Sequence, residues 1–310
     1  MTTSILITGA SGLIGKRLTD LLLQKGYRVS HLGRARKAGA IPSFVWNIET
    51  GEMDPQSLND VDVIIHLAGA GVAEKRWTSA RKQEILSSRT KSSALLCSTL
   101  KNSRHQVKTV ISASAIGIYG FEIDDGNFLS EESSPGNNYL AKVVLDWEKE
   151  VDQIALLGIR VVKIRIGIVL SDQGGALKEM ANPIKYGVGA PLASGRQIIS
   201  WIHLEDLCSI FMLVVQDEKL QGAYNAVGPQ PVTNEEMTVA IAKVLGRPLW
   251  LPNIPAFILR LILGEMAEVV IHGSRVSSQK IQEKGFSFQF SALEPALRNL
   301  FHRRNGERNS

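Results

Sequence analysis

The apolar positions of this chain change period near its start. Ile5, Leu6 and Ile7 form a continuous run, and beyond Gly9 the apolar residues Leu13, Ile14, Leu18, Leu21 and Leu22 recur at helical spacing to about Lys25. That switch predicts a buried strand, a tight turn and a helix. Short apolar runs return at 27–32, 44–47, 61–67 and 107–113, again within 156–166, and further on at 197–203. Helical segments are predicted over about 78–101 and from Tyr139 onward. Strands alternating with helices in this way predict an α/β fold: a doubly wound, mostly parallel sheet covered on both faces. Past about Gly167 the rhythm loosens into Gly174-Gly175 and Gly187-Val188-Gly189-Ala190-Pro191, which reads as a smaller C-terminal lobe covering a substrate. The expected division is a nucleotide-binding body over 1–166, with about 197–228 returning to it, a lobe mainly within 167–301, and a flexible polar tail over 302–310.

The first turn carries the chemistry. Gly9, Gly12 and Gly15 recur every third residue, in the pattern T-G-x-x-G-x-x-G. Such glycines allow a sharp turn, let backbone N–H groups approach a pyrophosphate, and let the helix pack closely on the sheet. The anion then sits at a helix N-terminus, where unpaired N–H groups and the helix dipole favour it. A dinucleotide is the natural ligand in a Rossmann-type fold, and a purely structural turn is the alternative for the glycines taken alone. At the end of the second strand stand Arg34, Arg36 and Lys37, and no acidic residue occurs between Asp20 and Glu49. A carboxylate there would accept from an unmodified adenosine ribose, whereas a 2′-phosphate needs a cation. The pattern therefore argues for NADP(H), against the alternative of a solvated basic loop. Leu67 and Ala68, followed by Gly69-Ala70-Gly71, are placed to line the adenine and ribose side.

Composition narrows the picture. With 310 residues, 44% hydrophobic and 21% charged, the chain can bury a large core. Cys97 and Cys208 lie in apolar segments without metal-ligand spacing, so neither a disulfide framework nor a metal site is expected. A start that runs directly into a strand, and apolar runs too short to span a bilayer, point to a cytoplasmic protein without a membrane partner. The net charge of +5 is diffuse, with no basic stripe interleaved with aromatics, so nucleic acid is not an expected partner.

Several motifs together resemble a known family. T-G-A-S-G-L-I-G from Thr8, H-L-A-G-A from His66, S-A-S-A-I-G-I-Y-G from Ser112 and R-I-G-I-V-L from Arg165 resemble the extended short-chain dehydrogenase/reductases of the epimerase/dehydratase group. K-R-W-T from Lys75, S-S-R-T from Ser87, S-G-R-Q-I-I-S-W-I-H-L-E-D from Ser194 and P-V-T-N-E-E-M from Pro231 are similar to an atypical subgroup. So are L-G-E-M-A from Leu263, G-S-R-V from Gly273 and E-K-G-F-S-F-Q-F from Glu283. Members of this subgroup are called epimerase-family proteins or nucleoside-diphosphate-sugar epimerases. The resemblance implies an NADP-type pocket formed by Gly9, Ser11, Gly12, Leu13, Ile14, Arg34, Leu67 and Ala68, and the basic loop itself offers Arg36 or Lys37 in support of Arg34. It also implies that Glu84 and Arg89 reach the cofactor and that Ile168 lies near the nicotinamide. A homodimer through the long helices is implied by the resemblance alone.

Active members of the family pair a Tyr with a Lys in Y-x-x-x-K, the ammonium lowering the phenol pKa for proton exchange during hydride transfer. Here Tyr139 stands in the right region, but Val143 occupies the fourth position and the lysine is Lys142. Tyr139 and Ser114 are the catalytic candidates. Arg196 is suited to hold a phosphate or carboxylate and Trp201 to stack on a ring, with a core position as the alternative for Trp201. His203 reads as a buried, hydrogen-bonded histidine. Two functions follow: an NADP(H)-dependent oxidoreductase or epimerase acting on a sugar nucleotide or similar hydroxyl-bearing molecule, or a non-enzymatic NADPH-binding regulatory protein.

Overall fold

The computed structural model describes residues 2–121 and 126–306. Its main sheet is built from β1 (Ser4–Thr8), β2 (Arg28–Gly33), β3 (Ser43–Asn47), β4 (Glu52–Met53), β5 (Val63–His66), β6 (Thr109–Ala115), β7 (Arg160–Ile166) and β11 (Gly222–Ala226). The order is β11-β7-β6-β5-β1-β2-β3-β4. All neighbours run parallel except β4, which turns back antiparallel on β3. From β1 the chain proceeds one way through β2 and β3 and the other way through β5, β6, β7 and β11. This reversal opens a crevice beyond the C-terminal ends of β1 and β5, where open parallel sheets bind ligands.

Both faces of the sheet are covered, which is why β1 is apolar along its length rather than alternating. Ile5 and Ile7 point to one face, where Leu18 and Leu22 of α1 (Leu13–Gln24) and Leu207 and Phe211 of α5 (Leu204–Gln216) pack on them. Leu6 points to the other, against Leu95 and Leu96 of α2 (Ser79–Asn102) and Trp147 and Val151 of α3 (Tyr139–Ala155). Each such side chain, fully buried, contributes roughly 1.5–3 kcal/mol relative to exposure.

The third core belongs to the C-terminal lobe. Leu177 of α4 (Ala176–Lys185), Met237 and Ile241 of α6 (Asn234–Leu245) and Leu297 of α10 (Leu293–Gly306) enclose Leu170 of β8 (Ile168–Leu170). The lobe also carries α7 (Ala256–Leu263), a 3₁₀ turn at Gly264–Ala267, α8 (Glu268–Ile271) and α9 (Gln279–Glu283).

Two expectations change. The apolar run at 197–203 does not join the main sheet: it divides into β9 (Ile198–Ile199), antiparallel to β12 (Val232–Thr233), and β10 (Trp201–His203), parallel to β8. The strand that returns to the main sheet is β11, whose sequence G-A-Y-N-A has no apolar run to reveal it. The polar stretch read as a tail from His302 continues α10 to Gly306, and 307–310 lie outside the described residues.

Candidate cofactor and active site

The crevice is shaped by close backbone approach. Gly9 has φ +67°, and a Cβ there would lie 2.7 Å from the carbonyl carbon and oxygen of Leu67 at the exit of β5. At Gly15 a Cβ would lie 2.6 Å from the Gly9 carbonyl oxygen, so α1 sits directly on the turn. Gly12 caps α1 without a side chain, and no acidic residue occupies the first turn. The N-terminal N–H groups of α1 therefore present a positive end with no competing carboxylate.

A cavity of about 900 Å³ runs along this edge. Gly9, Ser11, Gly12, Arg34, Leu67, Ala68 and Glu84 line it. Leu13 and Ile14 form the first turn of α1, and the Leu13 side chain reaches towards Gly175 of the lobe. Arg36 turns away to Asp54, at 3.2 Å, and borders a neighbouring hollow of about 320 Å³. Arg89 and Ile168 are not among the lining residues. Arg89 lies behind the cavity wall, and Ile168 pairs with Trp201 in β8.

The floor is fixed by Thr8, whose Oγ1 accepts from the backbone N–H groups of Leu67 and Ala68 at 3.1 and 3.2 Å. The Ala70 N–H donates to Ser88 Oγ at 3.0 Å. Beyond this, buried Arg81 organises the wall: it donates to Glu84 at 2.7 Å, to Glu74 at 3.1 Å and to the Gly71 carbonyl at 2.5 Å. Arg81 holds the Glu84 carboxyl below its ordinary range. The sequence reading passed over Arg81, although its position three residues before Glu84 on a helix was the available signal.

The catalytic candidates are placed unlike a familiar Tyr-Lys couple. Tyr139 is the first residue of α3, and its hydroxyl donates to the Lys82 carbonyl at 2.7 Å. Its ring meets Trp77 edge-on, with centroids 5.0 Å apart. Burial pushes the phenol up, against the opposing pull of Arg89 and then Arg81. Lys142 is exposed, and buried Val143 takes the place one turn beyond Tyr139. Ser114 is buried, and its hydroxyl donates to Glu148 Oε1 at 2.5 Å. Glu148 also accepts from Arg165 Nε and Nη2, at 2.9 and 3.0 Å, and Arg165 donates onward to Tyr119. Ser114 thus belongs to a buried polar network, and its proton is directed away from the cavity. Burial raises the Glu148 carboxyl, but bonding to Arg165 outweighs it and the net direction is down.

In the lobe, Trp201 is completely buried and donates from Nε1 to the Gln230 carbonyl at 2.9 Å. It is a core residue, which corrects its reading as a stacking platform. Arg196 is exposed, and its backbone N–H donates to Ser194 Oγ. His203 caps α5, accepting from the Glu205 N–H at Nδ1, and stacks on Phe290. Across the cleft, Lys82 pairs with Glu265, and the Arg76 guanidinium lies against Gly264. Among the described residues no cluster of His, Cys, Asp or Glu is arranged to hold a metal, and no helix is long and apolar enough to cross a membrane.

Comparison with known proteins gives a consistent result. Residues 5–227 match the NAD dependent epimerase/dehydratase family, and residues 254–300 match a domain of unknown function, DUF1731. The chain is 37% identical over 294 residues to Epimerase family protein Mb2239 of Mycobacterium bovis, covering 94% of this chain and 96% of the relative. It is 35% identical over 299 residues to Epimerase family protein YfhF of Bacillus subtilis, covering 96% and 97%. A crystal structure of human epimerase family protein SDR39U1 with NADPH superposes with a TM-score of 0.86 at 26% identity, covering 96% and 99% of the two chains.

Proposed function

The chain belongs to the NAD dependent epimerase/dehydratase family, and from that premise we propose that it is an NADP(H)-dependent oxidoreductase or epimerase acting on a hydroxyl- or carbonyl-bearing small molecule such as a sugar nucleotide. The cofactor is NADP(H). The observation that carries this is Arg34, which lines the same cavity as the glycine turn at a strand end without a ribose-binding carboxylate. The Gly9 and Gly15 contacts hold the turn against the Leu67 backbone and α1 against the turn, and the α1 N-terminus supplies donors for a pyrophosphate. The human relative crystallised with NADPH supports the same choice.

When bound, NADP(H) supplies or takes up a hydride. The protein's own part is proton handling and positioning. With its pKa raised by burial, Tyr139 is protonated at neutral pH and serves as an acid towards a substrate oxygen that displaces the Lys82 carbonyl from its hydroxyl. Ser114 acts indirectly, by fixing the end of β6 to α3 through Glu148. Arg196, exposed at the edge of the lobe, is the candidate for an anionic group on the substrate. The body over 1–166, joined again by α5 and β11, holds the cofactor, and the lobe within 167–301 covers the substrate.

A second reading, a cofactor-binding regulatory protein without turnover, is favoured by one observation: the Tyr139 hydroxyl already has a backbone acceptor and Lys142 faces solvent. Calorimetric titration with NADPH, NADH, NADP⁺ and NAD⁺ tests the shared premise. Preference for the phosphorylated pair is the expected result, and binding of none overturns both readings. Loss of NADPH absorbance on adding candidate carbonyl substrates then separates enzyme from sensor.

A further inference from the structure

We propose that His31 takes up a proton at the 2′-phosphate end of the cofactor site, so that NADPH, but not NADH, binds more tightly as pH falls. This role rests on the NADP(H) reading and deepens it. His31 is the fourth residue of β2, paired with Ile7 of β1 on one side and Ser43 of β3 on the other. Residues paired in adjacent parallel strands point to the same face, and Ile7 faces α1. His31 therefore lies under α1, three residues before Arg34.

The bonds around the imidazole decide which nitrogen is open to a further proton. Its Nε2 is 3.0 Å from Thr19 Oγ1 on α1. The Thr19 hydroxyl has one proton, which it donates to the Gly15 carbonyl at 2.7 Å. Thr19 Oγ1 therefore accepts from His31, and Nε2 carries the ring proton of the neutral form. Nδ1 is the bare nitrogen and has no protein partner among the described residues. Half-buried His31 lines the same cavity as Arg34, Lys37 and Ser43. A proton added at Nδ1 makes the ring a cation without disturbing the Thr19 bond.

The surroundings suit an anion. The Lys37 N–H donates to Ser43 Oγ at 3.1 Å, which pins the basic loop over the strand residue paired with His31. That loop brings Arg34 and Lys37, whereas β1, α1 and β3 bring the uncharged Ile7, Thr19 and Ser43. Arg36 is turned to Asp54. The carboxylates that line the cavity are engaged elsewhere: Glu49 with Lys91, Glu74 and Glu84 with Arg81, and Glu52 with the Thr50 hydroxyl. Burial, and then Lys37, hold the imidazole below its ordinary value, so it is neutral in the free protein at neutral pH. The phosphate dianion of NADPH reverses that balance and favours the imidazolium. NADH has a hydroxyl at that place and does not.

The test follows the His31 ring by NMR in the full chain, its signals assigned through the contact with Thr19 and by their absence from His31→Gln. In the free protein the ring nitrogens are expected to show the Nε2–H tautomer. With saturating NADPH the titration midpoint is expected about 1 higher in pH, and with NADH unmoved. By linkage, the calorimetric NADPH affinity of the parent gains up to about tenfold over that of His31→Gln between about pH 8 and about pH 6. The phosphate's own titration, at about pH 6, is common to both proteins and cancels in that comparison. An Nδ1–H tautomer, a midpoint that bound NADPH leaves in place, or one that NADH raises equally overturns the proposal while the cofactor reading stands. Should His31→Gln not fold, the NMR titration of the parent decides alone. No calorimetric binding of NADPH to the parent overturns both.

Discussion

Thr8 and His66 face each other across the adjacent strands β1 and β5, with Thr8 Oγ1 2.8 Å from His66 Nδ1, and the bonds around them fix the histidine tautomer. Thr8 Oγ1 already accepts from two backbone N–H groups, so its own proton goes to Nδ1. Nε2 therefore carries the ring proton and faces Ser92 Oγ and Ser93 Oγ at 3.2 and 3.3 Å. Ser92 in turn donates to the Arg89 carbonyl. A neutral, fully buried imidazole thus ties the cofactor floor to α2.

The pH consequence follows from burial, which lowers the His66 pKa to about 4. Between about pH 6.5 and 4 the unfolded chain binds a proton at this histidine that the folded protein excludes, so stability falls as pH falls through that window. The difference corresponds to about 3 kcal/mol, present in full above the unfolded value and lost by pH 4. Urea unfolding at a series of pH values checks this: a His66→Gln protein has a shallower acid dependence than the parent.

Arg34→Glu is expected to reduce NADPH affinity by roughly 10- to 100-fold, the worth of a charge-assisted phosphate contact, while leaving NADH binding little changed. Arg36→Ala has a smaller effect, because Arg36 is turned to Asp54. Calorimetry with both cofactors measures each, and an unaltered preference in Arg34→Glu removes Arg34 from the 2′-phosphate site.

Glycine positions separate by what surrounds them. Gly9→Ala places a methyl group against the Leu67 backbone in a left-handed conformation and is expected to abolish NADPH binding. Gly26 also has positive φ, +81°, but nothing lies within 4 Å of the added carbon. Gly26→Ala should cost only about 1 kcal/mol and leave cofactor affinity intact.

Glu148→Ala strands the buried Arg165 guanidinium and removes the acceptor of Ser114. A loss of about 3–5 kcal/mol is expected, as for a broken buried ion pair, and replacing both Glu148 and Arg165 by Met should recover much of it. Chemical denaturation of the single and double variants reads the difference.

Trp201→Ala is expected to lower stability by about 3–5 kcal/mol through the cavity it leaves in the lobe core. Its thermal midpoint should fall, while NADPH affinity at low temperature stays near that of the parent.

Local patterns in the chain were sufficient for the elements at the head of the crevice. Strand, turn and helix around Gly9, Gly12 and Gly15 are dictated by periodicity and by the small residues that a close approach requires, and the charge at Arg34 is visible as a cation where an acid would otherwise stand. Residues near in sequence and on one element set these features, so the sequence alone determined the doubly wound fold and the glycine turn between β1 and α1. Tertiary structure decided the rest. The Ser114–Glu148 bond, the Tyr139 hydroxyl on the Lys82 carbonyl and the Thr8–His66 bond join residues 34, 57 and 58 positions apart. Side-chain type gives no sign of such partners, because a serine that polarises a substrate and a serine that holds a glutamate are the same residue. Burial is equally a property of packing: Trp201 reads either as a platform or as core until the lobe closes over it, and the packing of Arg89 against Trp147 and Gly69 has no sign in the sequence.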